Sequence, residues 1–391
     1  MKKIVFFCIP AHGHTNPTLG VVRELVARGH QVWYYSYEQM RDKIEATGAH
    51  FVPCDLFDAE MQLSEREAAR VGKDLALSTR VLVDTTLALD EAVTRHMAQL
   101  QPDCIVADSM AVWGKAVARK LGVPFVSSTT TFAFNRHSAK IMPQSPGQML
   151  GMLFSMAKIQ KDIHRQSAKG YPIHNILDIL QNDENTHTIV YTSAQFQPCS
   201  ETFSEKYAFV GPSIRPAAAP LEKKREKLVY ISMGTVNNNM LPLYKRCISA
   251  LGDTPWQVIL SVGPQVPLSA FGKLPENVEV HPSVDQIAVL EQADVFLTHC
   301  GMNSVSEALY FGVPLILLPQ TGEQGGVANR VWQLGAGIRL RSTSPRAIRS
   351  AVELLLSQPT YRERAAAIGT GFRACTGPAG AADKILEVCG Q

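Results

Sequence analysis

The sequence predicts an α/β protein made of two doubly wound parallel-sheet domains facing each other across a cleft. Three observations carry this reading. The first half alternates short apolar runs with amphipathic ones, the pattern of βαβ units and of a parallel sheet covered on both faces. The pattern breaks at residues 211–227, rich in Pro and Ala and ending in a charge run, and then restarts. At 391 residues the chain is too long for one ordinary core. The expected organisation is a first domain over 1–210, a linker over 211–227, a second domain over 228–375, and a C-terminal helix over 376–391 that crosses back to the first domain.

Strands are expected at 4–9, 31–36, 50–52, 104–107, 124–127 and 187–191, and helices at 18–28, 37–47, 89–99 and 111–121. Gly29, Gly48 and Gly122 stop three of these helices, since glycine takes the left-handed turn after a helix at little cost. After the linker, strands are expected at 228–232, 257–262, 278–281, 294–298 and 314–318. Helices lie between them, and a helix-rich tail runs from Pro345. Residues 54–90 and 136–183 fit no clean repeat. The second contains QMLGMLFSMAKIQKDIHRQSAKG, apolar and Met-rich, then basic. It reads as part of an adaptable apolar pocket, as a core-covering helix, or as a membrane-surface helix.

Composition excludes several classes. Apolar and charged fractions are those of a soluble globular protein. A formal charge of +3 is too small to steer nucleic acid or membrane, so neither is an expected partner. The eight cysteines are scattered and form no C-x-x-C pair, which suits reduced thiols in a cytoplasmic protein rather than disulfides or zinc. Lys2 and Lys3 precede IVFFCIP, the outline of a signal peptide. The run is short, however, and His12, His14 and a charged amphipathic stretch follow at once, so a first strand is expected instead. No run approaches the length of a membrane-spanning helix.

The most informative stretch is 294–324, DVFLTHCGMNSVSEALYFGVPLILLPQTGEQ. An apolar strand leads into His299, Cys300 and Gly301, and a helix follows from about Asn303–Ser304 with Glu307 in its first turn. A second strand then closes on Pro319 and reaches Glu323 and Gln324. A helix starting at the carboxyl end of a buried strand favours an anion, because its free N–H groups and its dipole both attract negative charge. The His suits phosphate, the carboxylate suits sugar hydroxyls, and the acid–amide pair suits a second polyol.

Two further strand ends carry polar groups. The first runs into PAHGHTNPTLG, where Pro17 suits a helix's first position and Asn16 its N-cap. That puts His14 in the strand–helix loop, and IVAD puts Asp108 at the same sheet edge. A hydrogen bond between them is geometrically reasonable, and a neutral imidazole so oriented can take a proton from an attacking hydroxyl. His12 precedes the glycine and reads as a pocket-wall residue. The hydroxyl run 127–131 ends a strand as well. In the second domain, LVYISMGTVNN places Ser232, Gly234 and Thr235 where backbone N–H groups and hydroxyls approach a phosphate closely. It is neither a Walker loop nor a dinucleotide fingerprint.

Taken together, His299, Gly301, Asn303, Ser304, Glu307, Pro314, Pro319, Glu323 and Gln324 resemble the donor signature of the nucleotide-sugar glycosyltransferases of the bacterial macrolide and plant secondary-product family. GHTNP at 13–17 resembles that family's N-terminal motif, and the Ser232–Thr235 stretch its S-x-G-T segment. The resemblance implies the two-domain GT-B fold, with Rossmann-like domains. It makes His14 the catalytic base and Asp108 its partner. It assigns the diphosphate to His299, Asn303 and Ser304, the ribose to Glu307, and the transferred sugar to Glu323 and Gln324.

One departure stands out. The family carries an aromatic residue or Arg two residues before a Pro-Gln pair, stacked on the nucleobase. Here the segment is HPSVDQ: Ser283 takes the stacking position and Asp285 replaces the Pro, while Gln286 is kept. Val284 and Gln286 are then the expected base and ribose contacts.

The expectation is an inverting, metal-independent, monomeric glycosyltransferase moving glucose from UDP-glucose to a hydroxyl of a small apolar acceptor, with no other cofactor. Residues 54–90 and 130–185 would line the acceptor pocket. A nucleotide-sugar epimerase or phosphorylase of the same architecture, a lipid-acceptor glycosyltransferase and a non-catalytic binding protein remain as alternatives.

Overall fold

The computed structural model of the chain describes residues 1–54, 74–138, 146–169, 171 and 185–390. The chain divides into two compact units, Met1–Ser213 with Thr376–Gln391, and Ile214–Cys375.

The first unit holds seven parallel strands in the order β3-β2-β1-β4-β5-β6-β7. They are β1 (Lys3–Phe7), β2 (Gln31–Ser36), β3 (His50–Pro53), β4 (Cys104–Asp108), β5 (Phe125–Thr129), β6 (His187–Val190) and β7 (Tyr207–Phe209). Their continuous apolar runs follow from burial on both faces, and successive side chains divide between two cores. Ile4 and Phe6 of β1 pack with Val21, Val22 and Leu25 of α1 (His12–Ala27). Val5 and Phe7 point the other way, onto Leu89, Val93 and Met97 and onto Trp113 and Val117. Those residues belong to α3 (Leu75–Leu100) and α4 (Val112–Leu121), which follow the short α2 (Arg41–Glu45). The last helix of the chain, here α12 (Gly377–Val388), lies against α1 and adds Ala381, Ala382, Ile385 and Val388 to the first of these cores.

Three differences from the expected elements have plain causes. α1 begins at His12, not at Pro17, because the Ala11 carbonyl already accepts from the His14 and Thr15 N–H groups. Pro17 therefore sits inside the helix, and His14 is in its first turn rather than in a loop. The three-residue strand β7 was missed because so short a run carries no period. The helix expected at 89–99 extends back to Leu75. Of the segment 136–183, the part Pro146–Ser167 forms α5. Its Ile159 and Ile163 pack with Leu82, Val83, Val112 and Tyr171, so this described stretch covers core. The remaining expected acceptor-pocket residues at 55–73, 139–145, 170 and 172–184 lie outside the described residues.

The second unit holds six parallel strands in the order β10-β9-β8-β11-β12-β13. These are β8 (Leu228–Ser232), β9 (Gln257–Ser261), β10 (Val278–His281), β11 (Val295–Thr298), β12 (Leu315–Leu317) and β13 (Gly337–Arg339). β13 is a second three-residue edge strand that pattern reading did not find. The helices are α6 (Leu241–Leu251), α7 (Gln286–Gln292), α8 (Met302–Tyr310), α9 (Gly322–Gln333), α10 (Pro345–Ser357) and α11 (Pro359–Arg373). α8 and α11 approach closely: a Cβ on Gly369 would stand 2.4 Å from the Leu309 carbonyl oxygen. From Ile214 on, the stretch expected as an interdomain linker belongs to this unit. Arg215 and the Ala218 N–H bond Asp285, Lys223 bonds Asp294, and the Lys224 N–H bonds Gln257.

In both sheets the strand order reverses beside the first strand, between β1 and β4 and between β8 and β11. Chain connections leave in opposite directions at such a point, which opens a crevice at the carboxyl ends. Among the described residues, no helix is long and apolar enough to cross a membrane.

Candidate active site

At the first sheet's switch point the structure joins His14 and Asp108. β1 and β4 are neighbours, with Phe7 opposite Ala107, so their carboxyl ends deliver the two residues side by side. His14 Nδ1 lies 2.8 Å from Asp108 Oδ2. The Asp108 side chain is fully buried and its Oδ1 accepts from the Met110 N–H at 2.9 Å. A carboxylate only accepts, so Nδ1 carries the proton and Nε2 is left as the basic nitrogen. The buried charge also stabilises the imidazolium that forms when Nε2 takes a proton.

Thr130, just past β5 in the hydroxyl run that ends that strand, places Oγ1 3.1 Å from the same Nδ1. The run was visible in the sequence, but its link to His14 depends on β5 lying beside β4, which no local pattern reveals. His12 is turned instead toward Lys43, with 3.2 Å between Nδ1 and Nζ. Burial, and then the Lys43 charge, lower its pKa.

At the second sheet's switch point, β8 and β11 bring Ser232 opposite Thr298. Beyond them the chain turns sharply at Cys300, a non-glycine residue with φ of 69°. That strained conformation is tolerated where surroundings over-determine it. Here the Cys300 N–H is held by Thr298 Oγ1 at 3.2 Å. The turn lays the His299 ring between two glycines. A Cβ on Gly234 would lie 2.5 Å from His299 Cε1 and Nε2, and one on Gly301 would lie 2.5 Å from Nε2.

His299 Nδ1 is buried and has no hydrogen-bond partner among the described residues. Burial lowers the ring's pKa to about 4, outweighing the Ser232 backbone, which favours the charged form. His299 is therefore neutral at pH 7. Gly234 has φ of 78°, and its N–H meets Ser232 Oγ at 3.3 Å. Thr235 is exposed beside it.

α8 begins at Met302, with Gly301 as its N-cap. Gly301 has no side chain to cap the first N–H groups, which leaves that end suited to an anion. Asn303 and Ser304 stand in the first turn. Glu307 does not, contrary to expectation: with the helix starting at Met302 it falls in the second turn.

There Glu307 Oε2 accepts from Gln286 Nε2, which also gives to Ser304 Oγ at 3.2 Å. Gln286 Oε1 accepts from Tyr230 OH at 3.1 Å. Burial raises the Glu307 pKa, while Gln286 and the Arg215 charge act the other way. Both donors of the Gln286 amide are thus committed to Ser304 and Glu307. Val284 is half-buried and Ser283 exposed. Asp285, in the position expected for Pro, is the N-cap of α7, accepting from the Ile287 N–H.

Glu323 and Gln324 lie in the first turn of α9, whose N-cap Thr321 accepts from the Gln324 N–H. Gln324 Oε1 accepts from the Gln320 N–H at 2.8 Å, leaving the amide NH₂ side of Gln324 turned to donate. Glu323 is exposed.

Comparison with known proteins accords with this fold. Residues 245–388 match the family described as erythromycin biosynthesis protein CIII-like, C-terminal domain. The chain is 31% identical to the UDP-glucosyltransferase YojK of Bacillus subtilis, covering 100% of this chain and 98% of that one. It is 32% identical to the NDP-glycosyltransferase YjiC of Bacillus licheniformis, over 98% of this chain and 97% of that one. Among solved structures, the glycotransferase of kitacinnamycin superposes with a TM-score of 0.86 at 28% identity, covering 99% of this chain and 98% of that one.

Proposed function

We propose, for a chain that belongs to the GT-B glycosyltransferases of the macrolide and UDP-glycosyltransferase family, a specific reaction: transfer of glucose from UDP-glucose to a hydroxyl of a small apolar acceptor, with inversion at the anomeric carbon. The observation that carries this reading is the His14–Asp108 pair, 2.8 Å apart at the switch point of the first sheet.

In this reading His14 Nε2 takes the acceptor's proton as its oxygen attacks the anomeric carbon. Asp108 holds the ring and offsets the charge that develops on it. The sugar–diphosphate bond breaks and UDP leaves. The second unit binds the donor. The neutral His299 ring, the first N–H groups of α8 and the Ser232–Thr235 turn hold the diphosphate, so developing negative charge meets fixed dipoles rather than a metal ion. Glu307 takes the ribose hydroxyls, and Glu323 and Gln324 hold the glucose. The relatives named above are glycosyltransferases, which favours transfer over epimerisation. A location in the cytoplasm fits the eight free cysteines.

The test is an assay of the full chain with UDP-glucose against phenolic, macrolide and sterol acceptors, read by mass. UDP release that depends on acceptor, a product heavier by one hexose and a β-linkage from the α-donor are expected, all unchanged by a chelator. Full turnover by His14→Ala would overturn the base assignment, and loss of turnover with chelator would overturn the metal-free scheme.

A further inference from the structure

Ser283 leaves a question of chemistry. The side chain at this position is small and exposed and offers no flat surface to a nucleobase. Two residues on, Asp285 stands where the resemblance expects Pro, and a proline there could neither cap α7 nor accept a cation. Asp285 does both. Its Oδ1 accepts from the Ile287 N–H at 3.2 Å, and its two oxygens take Arg215 in a fork. Oδ2 also accepts from the Ala218 N–H at 2.7 Å.

Arg215 Nη1 further donates to the Pro216 carbonyl at 2.8 Å. Guanidinium N–H bonds lie in the plane of the group, so they fix its orientation without using its faces. The side chain is 54% exposed. Asp285 immediately precedes Gln286, whose amide is bonded to Glu307. The guanidinium is therefore anchored one residue from the group that holds the proposed ribose carboxylate.

We propose that the Arg215 guanidinium, pinned by Asp285, supplies the flat face on which the donor's nucleobase stacks, in place of a side chain at position 283. A planar cation stacks well on a heteroaromatic ring and shows little preference among bases. The inference rests on the donor reading of the second unit. It goes beyond that reading in assigning base recognition to a residue from the segment between the two sheets.

The experiment is calorimetric binding of UDP to the full chain. Arg215→Ala is expected to weaken UDP binding by about tenfold or more. Arg215→Lys keeps the ion pair with Asp285, and so the local fold, but lacks the plane, and it should be nearly as weak. Adding Ser283→Trp to Arg215→Ala should restore binding by returning a stacking surface. Competition by inorganic pyrophosphate should be the same in all four proteins, because only the base is affected. UDP binding by Arg215→Lys equal to the parent's would overturn the stacking role in favour of simple charge. Equal binding by Arg215→Ala would remove Arg215 from the site while leaving the donor reading intact. A parent protein that binds no UDP would instead overturn the donor reading, and this inference with it.

Discussion

The His299 ring occupies the space that a Cβ on Gly234 would need, with only 2.5 Å between that position and the ring's Cε1 and Nε2. A Cβ on Gly301 would come equally close to Nε2, so the ring's position depends on both glycines lacking a side chain. Gly234→Ala must therefore displace the ring or the loop, and it also forces a side chain onto a φ of 78°. A stability loss of about 2 kcal/mol is expected. UDP binding should weaken at least tenfold, since the diphosphate contact is lost. Thermal melts and calorimetry check both, and a variant that melts and binds like the parent would refute the cradle.

His14→Ala should reduce kcat by about 100- to 10,000-fold, the usual worth of a general base, with little change in affinity for UDP. Asp108→Asn presents an amide that can donate to Nδ1, which favours the wrong tautomer, and should cost a comparable part of kcat. Steady-state kinetics alongside UDP calorimetry separate this from damage to donor binding.

His299 makes stability fall with acid. Its pKa is about 4 in the fold, against an ordinary 6.5. The unfolded chain takes the proton first, so the penalty is absent above pH 6.5, grows as pH falls, and is complete below about 4. Its size is at most about 3 kcal/mol. Urea denaturation at pH 7 and pH 4.5 should show a larger acid loss in the parent than in His299→Gln. Equal losses would mean that the ring is not buried in its neutral form.

Glu307 titrates above the ordinary carboxylate value because burial disfavours its charge. Ribose hydroxyls donate to the ionised carboxylate and favour it, so donor binding should drive protons off this group. UDP-glucose is the suitable probe, since its esterified diphosphate does not titrate in this range. Affinity should rise as pH climbs from about 4.5 through the raised Glu307 pKa. Calorimetry in two buffers of different ionisation enthalpy should detect proton release, and Glu307→Gln should abolish it.

The doubly wound fold was legible because strands buried on both faces read as unbroken apolar runs, as in Leu228–Ser232. The meeting of His14 with Asp108 was legible too, since parallel strands carry their carboxyl ends to one edge. Helix starts were harder. Pro17 looked like a first residue, but hydrogen bonds to the Ala11 carbonyl had already begun the helix. Contacts between distant segments left no local trace. Arg215 and Asp285 are 70 positions apart, and nothing near either residue announces the other.

The return of α12 to the first unit bears on how the chain is made. Residues 1–213 leave the ribosome first, yet the core beneath β1 lacks Ala381, Ala382, Ile385 and Val388 until the last helix emerges. The second unit, contained within Ile214–Cys375, has all its strands while the first is still incomplete. The domain begun first is thus the last to be finished. A chain that stops short near its end leaves exposed the α1 face that α12 would cover, although every residue of both candidate sites has already been made.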